Sequence, residues 1–257
     1  MADKRLGQHF LLDMNITRKI ARMAGDLADL PVLEIGPGPG GLTRALVETG
    51  ANVTAVEKDP RCLAALDGLS KASAGHLRLI SGDALELDYH ALFPAPPVVV
   101  ANLPYNAGTQ LLLLWLETPR RFSHFVLMFQ KEVGDRLAAL PGSKDYGRLS
   151  VLVQWLCSVE SLFDLPPRAF TPPPKVSSTV VRLEPRPEPL APAPRDTLER
   201  LTAAAFGQRR KMLRASLKQL GPDPNAWLDA AGIDPTARAE TLSVEDFCRL
   251  ARCIASD

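Results

Sequence analysis

Apolar residues recur through the first two thirds of the chain in short runs bounded by glycine, proline and polar residues. Val32–Ile35, Asn52–Val56, Leu77–Ile80, Val98–Ala101, Phe122–Phe129, Val159–Leu162 and Thr179–Leu183 each fit a short buried strand. Helical patterns separate most of the early runs, which predicts βαβ crossovers and a largely parallel sheet with helices on both faces. The last two runs are joined through a proline-rich loop without a helical pattern between them, so one strand is expected to run antiparallel. Met14 to Met23 spaces its apolar residues helically, and Leu6-Gly-Gln-His-Phe10 reads as an ordered lead-in to that helix. Pro185 to Pro194 holds five prolines in ten residues, a stiff extended linker. Beyond it, Asp196–Leu220, Asn225–Ala231 and Ser243–Ala255 read as helices. The expected organisation is an α/β Rossmann-like domain over 1–184, a linker over 185–194 and a small all-α domain over 195–257, with no internal repeat.

Composition narrows the class. With 257 residues, 46% of them hydrophobic and 23% charged, the chain can bury a large core. Cys62, Cys157, Cys248 and Cys253 form neither a C-x-x-C pair nor a zinc spacing, so they read as buried or incidental thiols in a reducing compartment, with no metal expected. Asp3, Lys4 and Arg5 open the chain without an apolar signal core, and no apolar run is long enough to span a bilayer. A cytoplasmic monomer without a membrane partner is expected. The net charge of +1 hides a polarised C-terminal region: Arg195–Lys218 carries seven basic residues and two acids, Asp223–Asp257 seven acids and three basic residues. Arg209, Arg210, Lys211 and Arg214 form either a solvated helix face or a phosphate-binding patch.

Candidate chemistry concentrates at two motifs. The run Val32-Leu-Glu-Ile-Gly-Pro-Gly-Pro-Gly-Gly-Leu-Thr43 turns a strand tightly into a helix, and Gly36, Gly38 and Gly41 satisfy the dinucleotide fingerprint, with Glu57 near the distance expected of an acid that binds a ribose hydroxyl. That match alone is weak. Asn102-Leu-Pro-Tyr105 lies where a proline-introduced strand, Val98–Ala101, leaves the sheet. It offers acceptor oxygens in a fixed geometry, because proline restricts its own φ and its predecessor. Tyr105 adds a stacking face. Acceptors beside an aromatic ring suit the exocyclic amine of a purine and not a hydride acceptor. Phe170, in Pro166-Pro-Arg-Ala-Phe-Thr-Pro-Pro-Pro174, is either a second aromatic wall or ordinary loop packing.

With these motifs the chain resembles the S-adenosylmethionine-dependent methyltransferases, and specifically the bacterial small-subunit ribosomal RNA adenine dimethyltransferases. The matching residues are Leu6-Gly-Gln-His-Phe-Leu-Leu12, Glu34-Ile-Gly-Pro-Gly38, Val56-Glu57, Gly82-Asp83-Ala84, Asn102-Leu-Pro-Tyr105, Phe170-Thr-Pro-Pro-Pro-Lys-Val176 and Phe206-Gly-Gln-Arg-Arg-Lys211. Seven ordered motifs are far more specific than one glycine loop. The resemblance implies transfer of methyl groups from S-adenosylmethionine to the N6 amines of two adjacent adenosines near the 3′ end of small-subunit ribosomal RNA, within the assembling particle. It implies that Glu57 accepts from both ribose hydroxyls, Asp83 binds the adenine amine, and Gly36 contacts the methionine portion. His9 and Leu11 then belong to a segment that closes with the first helix over the cofactor cleft, where relatives often carry Asn in place of His9. Asn102, Leu103, Pro104 and Tyr105 form the catalytic pocket, with Phe170 on its target-adenine side. A lone His9 is a poor metal candidate, since no second ligand accompanies it. Three alternatives remain: a large-subunit rRNA adenine methylase conferring antibiotic resistance, a nicotinamide-dependent dehydrogenase, and a non-catalytic assembly factor. Phe206-Gly-Gln-Arg-Arg-Lys-Met-Leu-Arg214 favours the small-subunit enzyme over the first. A dehydrogenase leaves Asn102–Tyr105 unexplained, and an intact Asn-Leu-Pro-Tyr speaks against lost catalysis.

Overall fold

The computed structural model describes residues 9–256. Leu6, Gly7 and Gln8 of the expected lead-in, and Asp3, Lys4 and Arg5, lie outside the described residues. The chain divides into two compact units, one of Met1–Gly134 with Glu160–Pro185, the other of Asp135–Val159 with Arg186–Asp257.

In chain order the first stretch forms β1 (Phe10–Leu11), α1 (Met14–Met23), β2 (Pro31–Ile35), α2 (Gly41–Val47), β3 (Asn52–Glu57), α3 (Pro60–Ala72) and β4 (Leu77–Ser81). There follow α4 (Tyr89–Leu92), β5 (Val98–Asn102), α5 (Gly108–Trp115), β6 (Phe125–Gln130) and α6 (Lys131–Ala138). Next come α7 (Arg148–Leu156), β7 (Cys157–Leu165), β8 (Phe170–Thr171) and β9 (Ser178–Pro185). The seven expected strands build one mixed sheet in the order β4-β3-β2-β5-β6-β9-β7. β2 pairs in parallel with both β3 and β5, and β9 runs antiparallel to β6, as the helix-free connection predicts. β2 is therefore the strand at which the sheet order reverses, the place where ligands sit in open α/β sheets.

Burial explains why these runs are strands. Val32, Leu33, Val98, Val99 and Val100 are at most 1% exposed, so β2 and β5 are covered on both faces and read as continuous apolar runs, not alternating ones. Ile20 and Ala21 of α1 and Leu42, Ala45 and Leu46 of α2 join the same core. Side-chain caps fix the helix starts: Asp13 accepts from the Asn15 N–H at α1, and Asp59 from that of Arg61 at α3.

Two local expectations shift. The strand expected from Phe122 starts at Phe125, after a 3₁₀ turn over Pro119–Arg121, because Phe122 packs its ring 5.2 Å from that of Phe125 and 6.0 Å from that of Trp115. The proline-rich connection before β9 contains a 3₁₀ turn, Pro167–Ala169, and β8, which pairs antiparallel with β1 in a separate two-stranded sheet.

The second unit departs further from expectation. It adds α8 (Arg195–Gly207), α9 (Leu213–Ser216), α10 (Pro224–Ala230) and α11 (Val244–Ala255). Residues 135–159 belong to this unit and not to a domain ending at 184, because α7 buries Val151, Leu152, Val153, Trp155 and Leu156 against α8 and α11. The segment expected as a stiff extended linker is held against α7. Arg186 N–H donates to the Leu156 carbonyl at 2.8 Å, Leu190 N–H to that of Trp155 at 2.8 Å, and the Trp155 indole to that of Ala191 at 2.8 Å. The helix expected over Asp196–Leu220 breaks: α8 stops at Gly207, residues 208–211 form a turn, and α9 restarts at Leu213. Glycine is a poor helix interior residue, and the Arg209 side chain gains more from the Glu240 carboxylate, at 2.7 Å, than from a helix surface. α11 forms as expected, with Ser243 and Asp246 in a reciprocal capping box. No described helix is long and apolar enough to cross a membrane.

Candidate active site

A cavity of about 350 Å³ opens at the carboxyl ends of β2, β3 and β5. That volume lies in the range of small-molecule sites. The glycine turn after β2 forms its floor. Gly38, at φ 55°, lies so close to Phe10 that a Cβ there would sit 2.8 Å from the ring. A Cβ on Gly41 would meet the Leu11 carbonyl oxygen. The missing side chains therefore let the His9–Leu11 segment, and not α1 itself, lie across the turn.

Glu57 ends β3 with its carboxylate buried and 6% exposed. Its Oε1 accepts the N–H groups of Lys58 and Asp59, both at 2.8 Å, and its Oε2 accepts that of Gly38 at 3.1 Å. A carboxylate has roughly four accepting positions, and these bonds leave Oε2 the less occupied oxygen.

Asp83 follows β4 and caps the next turn through the Leu85 N–H at 3.1 Å. Its other oxygen takes the Lys58 ammonium at 2.6 Å, and that hydrogen bond, first among the causes, holds the carboxyl below its ordinary pKa. Sequence reasoning misses Lys58. It follows Glu57 directly, and an acid-lysine pair at one strand end gives no sign of reaching the end of the next strand.

Sequence reasoning also misses Glu34, although an acid inside the apolar run Val32–Ile35 is itself a signal. It is 1% exposed on the cavity wall, and its Oε2 has no hydrogen-bond partner among the described residues. Burial pushes its pKa up to about 8, with the Glu57 carboxylate adding to the rise. The Thr43 hydroxyl is buried and likewise lacks a partner in hydrogen-bonding geometry.

Asn102 ends β5. Its side-chain Nδ2 donates to the His9 carbonyl at 3.0 Å, which leaves Oδ1 as the acceptor of the amide. Leu103, Pro104 and Tyr105 also line the cavity. The Tyr105 hydroxyl is hydrogen-bonded to Ser178 Oγ at 2.6 Å, and burial raises its pKa. Ser178 starts β9, 73 residues further on, and nothing local in the sequence points to it. His9, Leu11 and Gly36 line the same cavity.

Phe170 does not. It is 3% exposed, pairs with Leu11 across β1 and β8, and packs into the core, so of its two readings the structure favours packing. The basic residues split as well. Arg209 donates to Glu240 at 2.7 Å and to the Ser143 carbonyl at 3.2 Å, whereas Arg210, Lys211 and Arg214 are exposed. Cys62, Cys157 and Cys248 are buried thiols whose pKa values burial raises, and Cys253 is half-buried. Among the described residues no group of His, Cys, Asp and Glu could hold a metal ion.

A mixed, largely parallel sheet reversing at a glycine turn, with an acid on the next strand end and an amide-proline-aromatic motif opposite, defines the methyltransferase class of Rossmann-like enzymes. The model of the ribosomal RNA adenine dimethylase family matches residues 1–256, and the chain belongs to that family. It is 62% identical over 254 residues to the ribosomal RNA small subunit methyltransferase A of Rhodospirillum rubrum, covering 98% of this chain and 88% of that one. With the protein of the same description from Brucella suis it is 58% identical over 256 residues, covering 98% and 92%. Among solved structures, a dimethyladenosine transferase from Plasmodium falciparum superposes with a TM-score of 0.80 at 27% identity, covering 94% and 96% of the two chains. The 23S rRNA methyltransferase ErmE superposes at 0.73 with 29% identity, covering 96% and 99%. Membership of this family implies the use of S-adenosylmethionine and an rRNA substrate.

Proposed function

We propose that this enzyme dimethylates the N6 amines of two adjacent adenosines near the 3′ end of small-subunit ribosomal RNA during assembly of the particle, acting as a monomer in the cytoplasm. The observation that carries the reading is the Asn102 amide, which lines the cavity beside Tyr105 and is tied by its nitrogen to the His9 carbonyl.

The cavity fits the donor on its own terms. Among the described residues Glu34 Oε2 is a buried oxygen without a partner, and Glu57 Oε2 accepts only the Gly38 N–H. We assign Glu57 to the two ribose hydroxyls, Asp83 to the adenine amine, and Gly36, His9 and Leu11 to the methionine side, with Asn102 bordering both ligands. S-adenosylmethionine supplies a methyl carbon already activated by its sulfonium, so the protein chiefly has to align a nucleophile behind it. Such alignment contributes roughly 7–11 kcal/mol.

An adenine amine is a poor nucleophile because its lone pair is delocalised into the ring. Asn102 Oδ1 and the Leu103 carbonyl accept its two hydrogens and favour a pyramidal nitrogen with its lone pair aimed at the methyl. Asn102 is neutral and takes no proton, which leaves to water after transfer. Tyr105, held at its hydroxyl by Ser178, stacks on a base that has left its helix, at a cost of a few kcal/mol. Arg210, Lys211 and Arg214 bind RNA phosphates, while Arg209 holds the turn that carries its two neighbours.

The test is incubation with labelled S-adenosylmethionine and unmethylated small subunits, followed by digestion to nucleosides. N6,N6-dimethyladenosine is expected. Its absence there, together with labelling of large-subunit RNA, would instead support the large-subunit methylase.

A further inference from the structure

His9 makes three contacts that no cofactor role requires. Its ring Nδ1 lies 2.8 Å from the Pro172 carbonyl oxygen. A carbonyl only accepts, so Nδ1 carries the hydrogen. Its ring packs against that of Tyr105, with centroids 5.3 Å apart at 34°. Its own carbonyl accepts the Asn102 amide at 3.0 Å.

The strand register explains the first contact. β1 and β8 pair Leu11 with Phe170 and Phe10 with Thr171, so the next rung would bring His9 opposite Pro172. Proline has no N–H to offer that rung. The imidazole meets the Pro172 carbonyl in its stead, so His9 is held by its side chain beside the paired residues Phe10 and Leu11. The carbonyl so fixed is the one that tells Asn102 which way to face. An amide turned by half a revolution would present N–H, a donor, to the N6 amine, which also donates.

We propose that the His9 side chain is a positioning residue for methyl transfer: by holding Pro172 it fixes the His9 carbonyl, which locks Asn102 with its oxygen toward the target amine. The proposal rests on the assignment of Asn102 to that amine. It makes a chemical distinction among substitutions. In asparagine the side-chain nitrogen stands the same number of bonds from Cα as Nδ1 does in histidine, so His9→Asn keeps a donor for Pro172. His9→Phe keeps the ring against Tyr105 and loses the donor.

At saturating donor and subunits, His9→Phe should turn over roughly tenfold more slowly than His9→Asn. In an Asn102→Ala background His9→Phe should have no further effect, because the residue acts through the amide that has been removed. In the donor-free protein, the Asn102 side-chain NH₂ resonances, identified by their loss in Asn102→Ala, should be protected from exchange in wild type and His9→Asn and unprotected in His9→Phe. Additive losses in the double variant, equal losses for the Asn and Phe variants, or unchanged amide protection would each overturn the proposal. Wild-type enzyme that forms no dimethyladenosine would overturn the functional assignment instead, and the amide resonances would still report on His9. Should His9→Phe fail to fold, His9→Ala takes its place in every comparison with the same expected outcomes.

Discussion

At the residue scale, the most consequential side chain outside the expected set is Glu34. Its folded pKa, about 8, lies above the ordinary value of 4.5, so the folded state keeps its proton longer than the unfolded state. The stabilisation is complete below about pH 4.5 and is lost as pH rises through about 8. A shift of this size is worth a few kcal/mol at about 1.4 kcal/mol per unit. Glu34→Gln keeps the shape and removes the titration. Unfolding free energies measured from about pH 5 to about pH 9 should fall for the wild type by that amount and stay flatter for the variant. Parallel curves would mean that Glu34 ionises inside the fold without cost. Asn102 gives the complementary prediction. Asn102→Ala should leave donor binding largely intact and lower turnover by roughly tenfold or more, since the proposed hydrogen bond strengthens as the amine becomes pyramidal. Turnover within about threefold of wild type, less than 1 kcal/mol in barrier, would remove Asn102 from the catalytic group.

At the element scale, the strands were legible because β2 and β5 are buried on both faces, which leaves an unbroken apolar signature in Val32–Ile35 and Val98–Ala101. The cavity was legible for the same reason: Gly36, Glu57, Asp83 and Asn102 all stand at or just beyond strand ends, where parallel pairing brings them together. What could not be read were pairings made by distant chain segments. Ser178 on Tyr105 and Glu240 on Arg209 leave no local trace. The second of these redefines the basic element. Arg209 through Lys211 form a turn between α8 and α9, not a helix face, and the three cations differ in what they have to hold. Arg209→Ala should lower thermal stability and alter RNA affinity mainly through the turn. Replacing Arg210 and Lys211 with Ala should leave stability and donor affinity unchanged, weaken binding to the small subunit, and flatten its salt dependence by roughly one unit for every phosphate left unneutralised. If affinity and salt slope both keep their wild-type values, these side chains are simply solvated.

At the scale of the whole molecule, the division of the chain runs through α6 and β7 as well as at Pro185–Arg186, where the proline-rich segment begins. Composition pointed to Pro185–Pro194, because five prolines in ten residues disfavour regular structure. Yet a proline-rich strand can still offer its remaining N–H and carbonyl groups, and Arg186, Leu190 and Ala191 use theirs on the end of α7. The apolar run Val151–Leu156 was the contrary signal, since a helix that buries Val151, Leu152, Val153, Trp155 and Leu156 needs covering on several sides. That cover comes from α8 and α11, whose Leu198, Leu201, Phe247 and Leu250 are fully buried. A fragment ending at Pro194 would carry α7 without it. Each large apolar side chain so exposed costs roughly 1.5–3 kcal/mol, and several at once exceed what a fold of marginal stability can lose. The fragment should therefore aggregate, or bind a hydrophobic dye, on size-exclusion chromatography and fluorescence. A fragment that also removes 135–159, joining Gly134 to Glu160 through a short glycine-serine linker, should lose that tendency while keeping every residue that lines the cavity. If the fragment of residues 1–194 is monodisperse, dye-free and binds S-adenosylmethionine as the full chain does, α7 is stable without α8 and α11, and the boundary at the prolines is the physical one.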